Sequence, residues 1–369
     1  MDNVYVTPEH ELLREQVARF IAREVEPHAL AWEDAGMTPR EVLRKLGAAG
    51  LLGLMFEGEY GGGDADALTN LVFAEALSQS TFGGFIITVL VHTDMASPHL
   101  HHAGTPAQKA RWMRGITAGT TVTAVAVTEP GAGSDVAGIR TTATRSADGD
   151  EWVLNGTKLF ITNGVHADLV FVAARTGSAR HAISMFAVEK GTPGFTVGRA
   201  LDKTGWLSSD TAELVFADCR IPADHLLGEE HRGFQSVMKN FQTERIALAA
   251  MAVGHATQAL RVTLEHVHDR HLFGVRLFDM QVVRQRIAML DARARLHVPL
   301  RVAGDEGRRR CPGGLDAEGA HRRARQRRRP DVPAVPRRHG LHARHRRRAA
   351  LARRPHPRDR RRRDRGDAG

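Results

Sequence analysis

The sequence predicts an α+β multidomain protein with an N-terminal helical domain, a middle antiparallel β-barrel or sandwich domain and a C-terminal helical bundle that is incomplete. Apolar residues recur at helical spacing as far as residue 120, alternate in short runs from 121 to 230, and return to helical spacing after Gly233. Short strands separated by turns, with no helices between them, argue against βαβ units and a Rossmann domain. A chain of 369 residues is long enough for three such bodies. We place them at 1–120, 121–230 and 231–297, leaving 298–369 as a segment of different composition.

Each element has a local reason. Thr7-Pro8 offers a capping hydroxyl followed by Pro in the first turn, and Leu13, Val17, Phe20, Ile21 and Val25 then keep helical spacing up to Pro27. Val42, Leu43 and Leu46 mark a second helix from about Pro39, and Glu57 to Gly63 reads as a loop. Helical patterns follow at Leu68–Leu77, Phe85–His101 and Pro106–Ile116. Thr121 to Val127 alternates between Thr and small apolar residues as a strand would. Trp152–Leu154, Leu169–Ala174, Ile183–Val188, Phe195–Val197 and Ala212–Phe216 are further strands, with turns at Asp148–Asp150 and Lys190–Gly194. Phe241, Ile246, Ala249, Val253 and Leu260 lie on one long helix reaching about His271, and Met280 to Leu290 begins another.

The net charge of +10 is local. Arg293 to Gly369 carries 26 Arg, no Lys and 8 acids, whereas the 292 residues before it carry 26 basic and 34 acidic side chains. The body therefore has an ordinary acidic balance, and the basic pI belongs to the tail. Cys219 and Cys311 form no disulfide framework and fit a reducing compartment. Met1 to Arg14 contains acids and no apolar core of a targeting peptide, and the longest apolar stretch, Phe85 to Val91, is too short to span a bilayer. A soluble, cytoplasmic protein without a membrane partner is expected. The His residues show no H-E-x-x-H spacing, so no metal is proposed.

Thr128-Glu129-Pro130-Gly131-Ala132-Gly133-Ser134-Asp135 follows the first strand. Its glycines let a ligand approach the main chain, and its hydroxyls and turn N–H groups offer donors. Taken alone, a Pro-Gly-x-Gly stretch reads as a turn. Together with Asn155-Gly156-Thr157-Lys158-Leu159-Phe160-Ile161-Thr162-Asn163-Gly164, it resembles the flavin-binding signature of the acyl-CoA dehydrogenases. The resemblance extends from near the N-terminus to about Arg293. It implies a helical, a β and a four-helix-bundle domain, FAD as cofactor, an acyl-CoA substrate, an electron-transferring flavoprotein as partner, and a homotetramer.

Such enzymes remove an α proton with a carboxylate base while the β hydrogen leaves as hydride. One family position for the base lies on the first long helix of the C-terminal domain, immediately before an Arg. Phe241-Gln242-Thr243-Glu244-Arg245-Ile246-Ala247 resembles it, which makes Glu244 the expected catalytic base and sets Arg245 beside the substrate. Taken alone, an adjacent Glu-Arg is two solvated side chains, since positions i and i+1 do not face each other. By the same resemblance, the backbone at Val125 and Val127 and the hydroxyl of Thr128 meet the isoalloxazine edge, and Ser134 lies where the flavin phosphate or the CoA arm passes. Phe160 and Ile161 flank the ring and Thr162 bonds to it, although Phe160-Ile161 also reads as a buried strand pair. Arg270, Phe273 and Gln281 resemble the Arg-x-x-Phe-Gly and Gln elements that reach the adenine and pyrophosphate across a subunit interface. An Arg at a helix end is otherwise a dipole partner. A base at the Glu244 position leans towards long or branched acyl chains.

The tail, with Arg308–Arg310, Arg327–Arg329, Arg346–Arg348 and Arg360–Arg363 among Ala, Gly, Pro and His, has no helical or strand period and is expected to be disordered. It reads either as a basic arm for polyanions or as a reading-frame shift in a GC-rich gene. The absence of Lys favours the shift. Read one base later, Leu315–Glu318, His339–His342 and Arg358–Asp367 conceal family-like segments in one frame, which places the shift between about Arg293 and His297. The resulting expectation is a dehydrogenase impaired by loss of its later bundle helices, with no specific nucleic-acid partner. The alternative is an inactive dehydrogenase-like protein whose basic tail binds polyanions nonspecifically.

Overall fold

The computed structural model describes residues 6–294. The expectations for 298–369, including disorder and the displaced frame, lie outside the described residues.

Seven α-helices open the chain: α1 (Pro8–Phe20), α2 (Ala29–Ala35), α3 (Arg40–Ala48), α4 (Ala67–Leu77), α5 (Gly83–Leu90), α6 (Ser97–Ala103) and α7 (Pro106–Thr117). The predicted helix over Phe85–His101 is a continuous helical segment whose middle, Val91–Ala96, is π-helical. Pro98 lacks the N–H that the i→i−4 ladder needs, and a π turn is one way a helix absorbs that loss. α4 begins where Asp66 Oδ1 accepts from the Thr69 amide, and α7 where Thr105 and Gln108 bond reciprocally. α2 was not legible, because Ala29 is its one buried residue.

The middle of the chain forms an eight-stranded sheet from β1 (Thr123–Ala126), β2 (Thr142–Arg145), β3 (Glu151–Thr162), β4 (Leu169–Arg175), β5 (Ile183–Glu189), β6 (Phe195–Ala200), β7 (Thr211–Pro222) and β8 (Leu226–Leu227). Its order is β6-β7-β3-β2-β4-β5-β8, with β1 on β4. Antiparallel pairing dominates; the exceptions are β1, parallel to β4 from Thr123 opposite Leu169 to Ala126 opposite Val172, and a single parallel β2–β4 pair. β3 and β7, 12 residues each, run well past their apolar runs, because the ladder continues beyond irregularities at Leu154/Gly156 and Lys158/Ile161.

After β8, α8 (Gly233–Asp269) runs unbroken, followed by the hairpin of β9 (His271–Leu272) and β10 (Val275–Arg276) and a helix over 281–294. α8 packs on α4 at Gly254, where a Cβ would lie 2.3 Å from Glu75 O, so no side chain fits. Two apolar clusters join these parts. One gathers α1, α3, α4, α5 and the Ala250–Met251 stretch of α8; the other joins α6 and α7 to β4, β5 and Val237. Polar bonds fix the same seams. Arg40 pairs with both carboxylate oxygens of Asp168, at 2.7 and 2.9 Å, and buried His92 donates from Nε2 to Ile116 O while its Nδ1 faces Thr123 Oγ1 at 2.9 Å. Burial pushes that imidazole down to about 4, so it stays neutral.

Candidate active site

The two signature loops are fastened to each other. Glu129 accepts from the amides of Arg140 and Thr141 at 2.6 and 2.9 Å and from Lys158 Nζ at 2.7 Å, and Lys158 also donates to Val127 O. Lys158 is 0% exposed, at the centre of β3. Burial lowers its ammonium to about 8. Burial would also raise Glu129, but the Lys158 charge and the hydrogen bonds outweigh it and hold the carboxylate below its ordinary value. A backbone bond from Leu159 N to Thr128 O, 2.9 Å, completes the junction.

That junction brings Val125, Val127 and Thr128 beside Phe160, Ile161 and Thr162. Val127 and Ile161 are buried, Val125, Thr128 and Thr162 half-buried, and Ser134 exposed. Phe160 is 62% exposed and has φ of 61°. The reading of Phe160-Ile161 as a buried strand pair therefore holds for Ile161 and fails for Phe160, whose left-handed backbone, costly for a bulky residue, turns the ring out of the sheet.

The loops fit a flavin on observations of their own. Among the described residues, the hydroxyls of Thr128, Thr162 and Ser134 have no hydrogen-bond partner, and a Cβ placed on Gly131 or Gly133 meets nothing within 4 Å. Packing thus does not require glycine there and leaves both positions open to close approach of a ligand. Phe160 offers an exposed aromatic face.

Glu244 sits on α8, half-buried, with Asn240 Nδ2 donating to its Oε1 at 2.8 Å. Burial pushes its carboxyl up to about 7 and nearby Asp94 adds to the rise, while the Asn240 bond and the Arg245 charge oppose it. Arg245 itself is exposed and lies 5.8 Å from the centre of the Phe241 ring. A small cavity beside this helix is lined by Thr243, Asp94, Thr93, Asn70, Phe56 and His102, among others. Asp94 is 2% exposed and also raised by its burial. Thr93 Oγ1 donates to Asp94 Oδ2 at 2.5 Å and lies 3.0 Å from Val89 O. Asn70 Nδ2 donates to the other Asp94 oxygen.

A second, open groove lies between Gly177–Ala182 and His231, Arg232 and Gln235. Arg180, flanked in sequence by the lining residues Ala179 and His181, pairs with Asp135, next to Ser134, and the His181 ring lies 4.4 Å from that of Phe234. Sequence reasoning missed these groups and also Asn240 and Asp94, since each acts through partners distant in the chain.

Arg270, Phe273 and Gln281 lie at and beyond the end of α8 that is remote from Glu244. Arg270 is 26 positions beyond Glu244, about 39 Å along a straight helix. Phe273 and Gly274, with φ of 53° and 79°, make the two-residue turn of the β9–β10 hairpin, and Phe273 is 95% exposed. Among the described residues, no group of His, Cys, Asp and Glu could hold a metal ion, and no helix is long and apolar enough to cross a membrane.

A helical domain, a sheet bearing two fastened loops and a long helix carrying a half-buried carboxyl make up a three-part α+β architecture. Family models agree: acyl-CoA dehydrogenase N-terminal, middle and C-terminal domains match residues 7–120, 124–219 and 231–298. The long-chain specific acyl-CoA dehydrogenase of Mus musculus mitochondria is 42% identical over 288 residues, 76% of this chain and 66% of its own length. An acyl-CoA dehydrogenase of Bacillus subtilis (strain 168) is 35% identical over 294 residues, 79% of this chain and 76% of the relative. The solved acyl-CoA dehydrogenase of Bacillus anthracis complexed with FAD superimposes with a TM-score of 0.74 at 30% identity, covering 79% of this chain and 49% of that one. The chain belongs to the acyl-CoA dehydrogenase family.

Proposed function

We propose that this protein is an FAD-dependent oxidoreductase that dehydrogenates an acyl-CoA thioester between Cα and Cβ. The half-buried Glu244 carboxyl beside the Asp94 cavity carries this reading. Its carboxylate takes the α proton, the Cα–Cβ double bond forms, and the β hydrogen leaves as hydride. FAD, bound at Thr128, Ser134, Phe160 and Thr162, supplies the acceptor for that hydride. The protein's part is to hold the carboxylate where water is scarce, so that its basicity is matched to neutral pH.

The groove at Arg180, His181 and Arg232 suits the phosphates and adenine of CoA, with Ser134 along the way. Arg270, Phe273 and Gln281 serve a second copy, because they stand too far from Glu244 to serve their own site. We assign the electrons to an electron-transferring flavoprotein, the assembly to a homotetramer and the protein to the cytoplasm, with long or branched acyl chains favoured. Turnover of the chain as it stands is impaired: Leu248, Val262, Met289 and Leu290 are exposed on α8 and the last helix, and the Arg-rich sequence after them has no apolar period to cover them. Restoring the reading frame after Arg293 then raises activity.

The test is exchange of the acyl α proton with deuterated solvent. It is expected with the native side chain and lost in Glu244→Gln; exchange at the native rate in that variant removes Glu244 from its role.

A further inference from the structure

Asn240 is 2% exposed on α8, one turn before Glu244. Its amide nitrogen donates to Glu244 Oε1 at 2.8 Å and to Met95 O at 2.9 Å. Two acceptors fix which end of the amide is nitrogen, so the orientation does not rest on choice. Its Oδ1 is buried with no partner, a cost accepted with this arrangement. Met95 belongs to the π-helical turn before Pro98, whose neighbour Asp94 lines the cavity beside Glu244. One side chain therefore ties the carboxylate both to its own helix and to the backbone of the opposite wall.

We propose that Asn240 is the positioning residue of this site, clamping Glu244 against the π-helical turn so that its second oxygen is free for the α carbon of the substrate. The inference rests on Glu244 being the base. An i,i+4 bond on a helix surface would give little order, but the anchor to Met95 O removes the freedom of the Asn240 side chain. The charged and titratable groups acting on Glu244 are Arg245, on its own helix, and Asp94, across the cavity. Arg245 is turned outward over Phe241, and Asp94 is occupied by Thr93 and Asn70, so neither bonds to the carboxylate. Asn240 is its hydrogen-bond donor among the described residues.

The experiment is a titration of the Glu244 carboxyl in the full chain by carbon-13 NMR of labelled glutamate, with the signal assigned by its loss in Glu244→Gln. This readout does not require flavin or turnover. The native midpoint is expected near 7. Asn240→Leu, which fills the site without a donor, should raise it by about one pH unit, and Asn240→Gln, which keeps an amide donor, should restore most of the shift. Asn240→Asp should raise it further by adding a like charge. A folded Asn240→Leu protein that titrates as the native one overturns the proposal. If that variant does not fold, an unmoved midpoint in Asn240→Asp does the same. Solvent exchange of the α proton separates the two readings. Exchange that survives in Glu244→Gln defeats the base assignment, whereas loss there with native rates in the Asn240 variants defeats only the clamp.

Discussion

Lys158 Nζ and Glu129 Oε1 are 2.7 Å apart in the interior of the sheet, and this contact holds one ligand loop to the other. A charge taken out of water is tolerated only with a partner, so removing either member strands the other. Lys158→Met is expected to cost about 3–5 kcal/mol in denaturant unfolding. A loss below about 1 kcal/mol would show that Glu129 is satisfied by the Arg140 and Thr141 amides alone.

The carboxyl of Glu244 links stability and chemistry in opposite senses. Its folded value of about 7 exceeds the ordinary 4.5, so its contribution to stability is complete below the lower value and is lost as pH rises through the higher one. Proton abstraction needs the ionised form, so α-proton exchange should climb through pH of about 7 and then level. An exchange rate already level at pH 5 would mean that the base titrates as an ordinary exposed glutamate.

Asp94→Asn should be close to silent, within about 0.5 kcal/mol. Its amide can still accept from Asn70 and can donate to Thr93, whose hydroxyl then turns to Val89 O. Asp94→Ala abandons both partners and should cost about 1–3 kcal/mol. Calorimetry at neutral pH distinguishes them, and equal losses would show that the amide cannot replace the bonds of the carboxyl.

Thr128→Ala combined with Thr162→Ala should weaken retention of FAD, at roughly 1 kcal/mol for each hydroxyl bond removed. Equilibrium dialysis reports it directly. Unchanged affinity would put the ring elsewhere.

Much of this was legible because local rules and tertiary structure agree. Thr7-Pro8 starts a helix, Val42, Leu43 and Leu46 form one buried face, and α8 keeps its period across the whole stretch. The sequence was less informative where the structure departs from local rules. Lys158 is a buried cation inside a strand, which no pattern of polar and apolar residues announces. The left-handed backbone at Phe160 exposes a ring expected inside. Asn240 and Asp94 matter through Met95, Thr93 and Asn70, whose proximity depends on a π turn and on how α8 crosses it. The family resemblance supplied Glu244 but not the groups around it.

Phe273→Asp should lower the assembled fraction of the protein, because this side chain, 95% exposed, stands on a tight turn where a second copy is proposed to receive it. Sedimentation velocity would show the shift, and an unaltered distribution would leave the hairpin outside the interface.

The contact at Gly254 gives α8 a rotational datum. Ahead of it the helix carries Glu244, and behind it the Phe273 hairpin, so the two ends are held in phase as marks on one shaft. Each residue advances a helix by about 100°, so a single insertion between Gly254 and Asp269 would leave the carboxyl in place and swing the hairpin through more than a quarter turn. Length in that stretch is therefore angular information: substitutions there can drift, while insertions and deletions alter which way the hairpin faces.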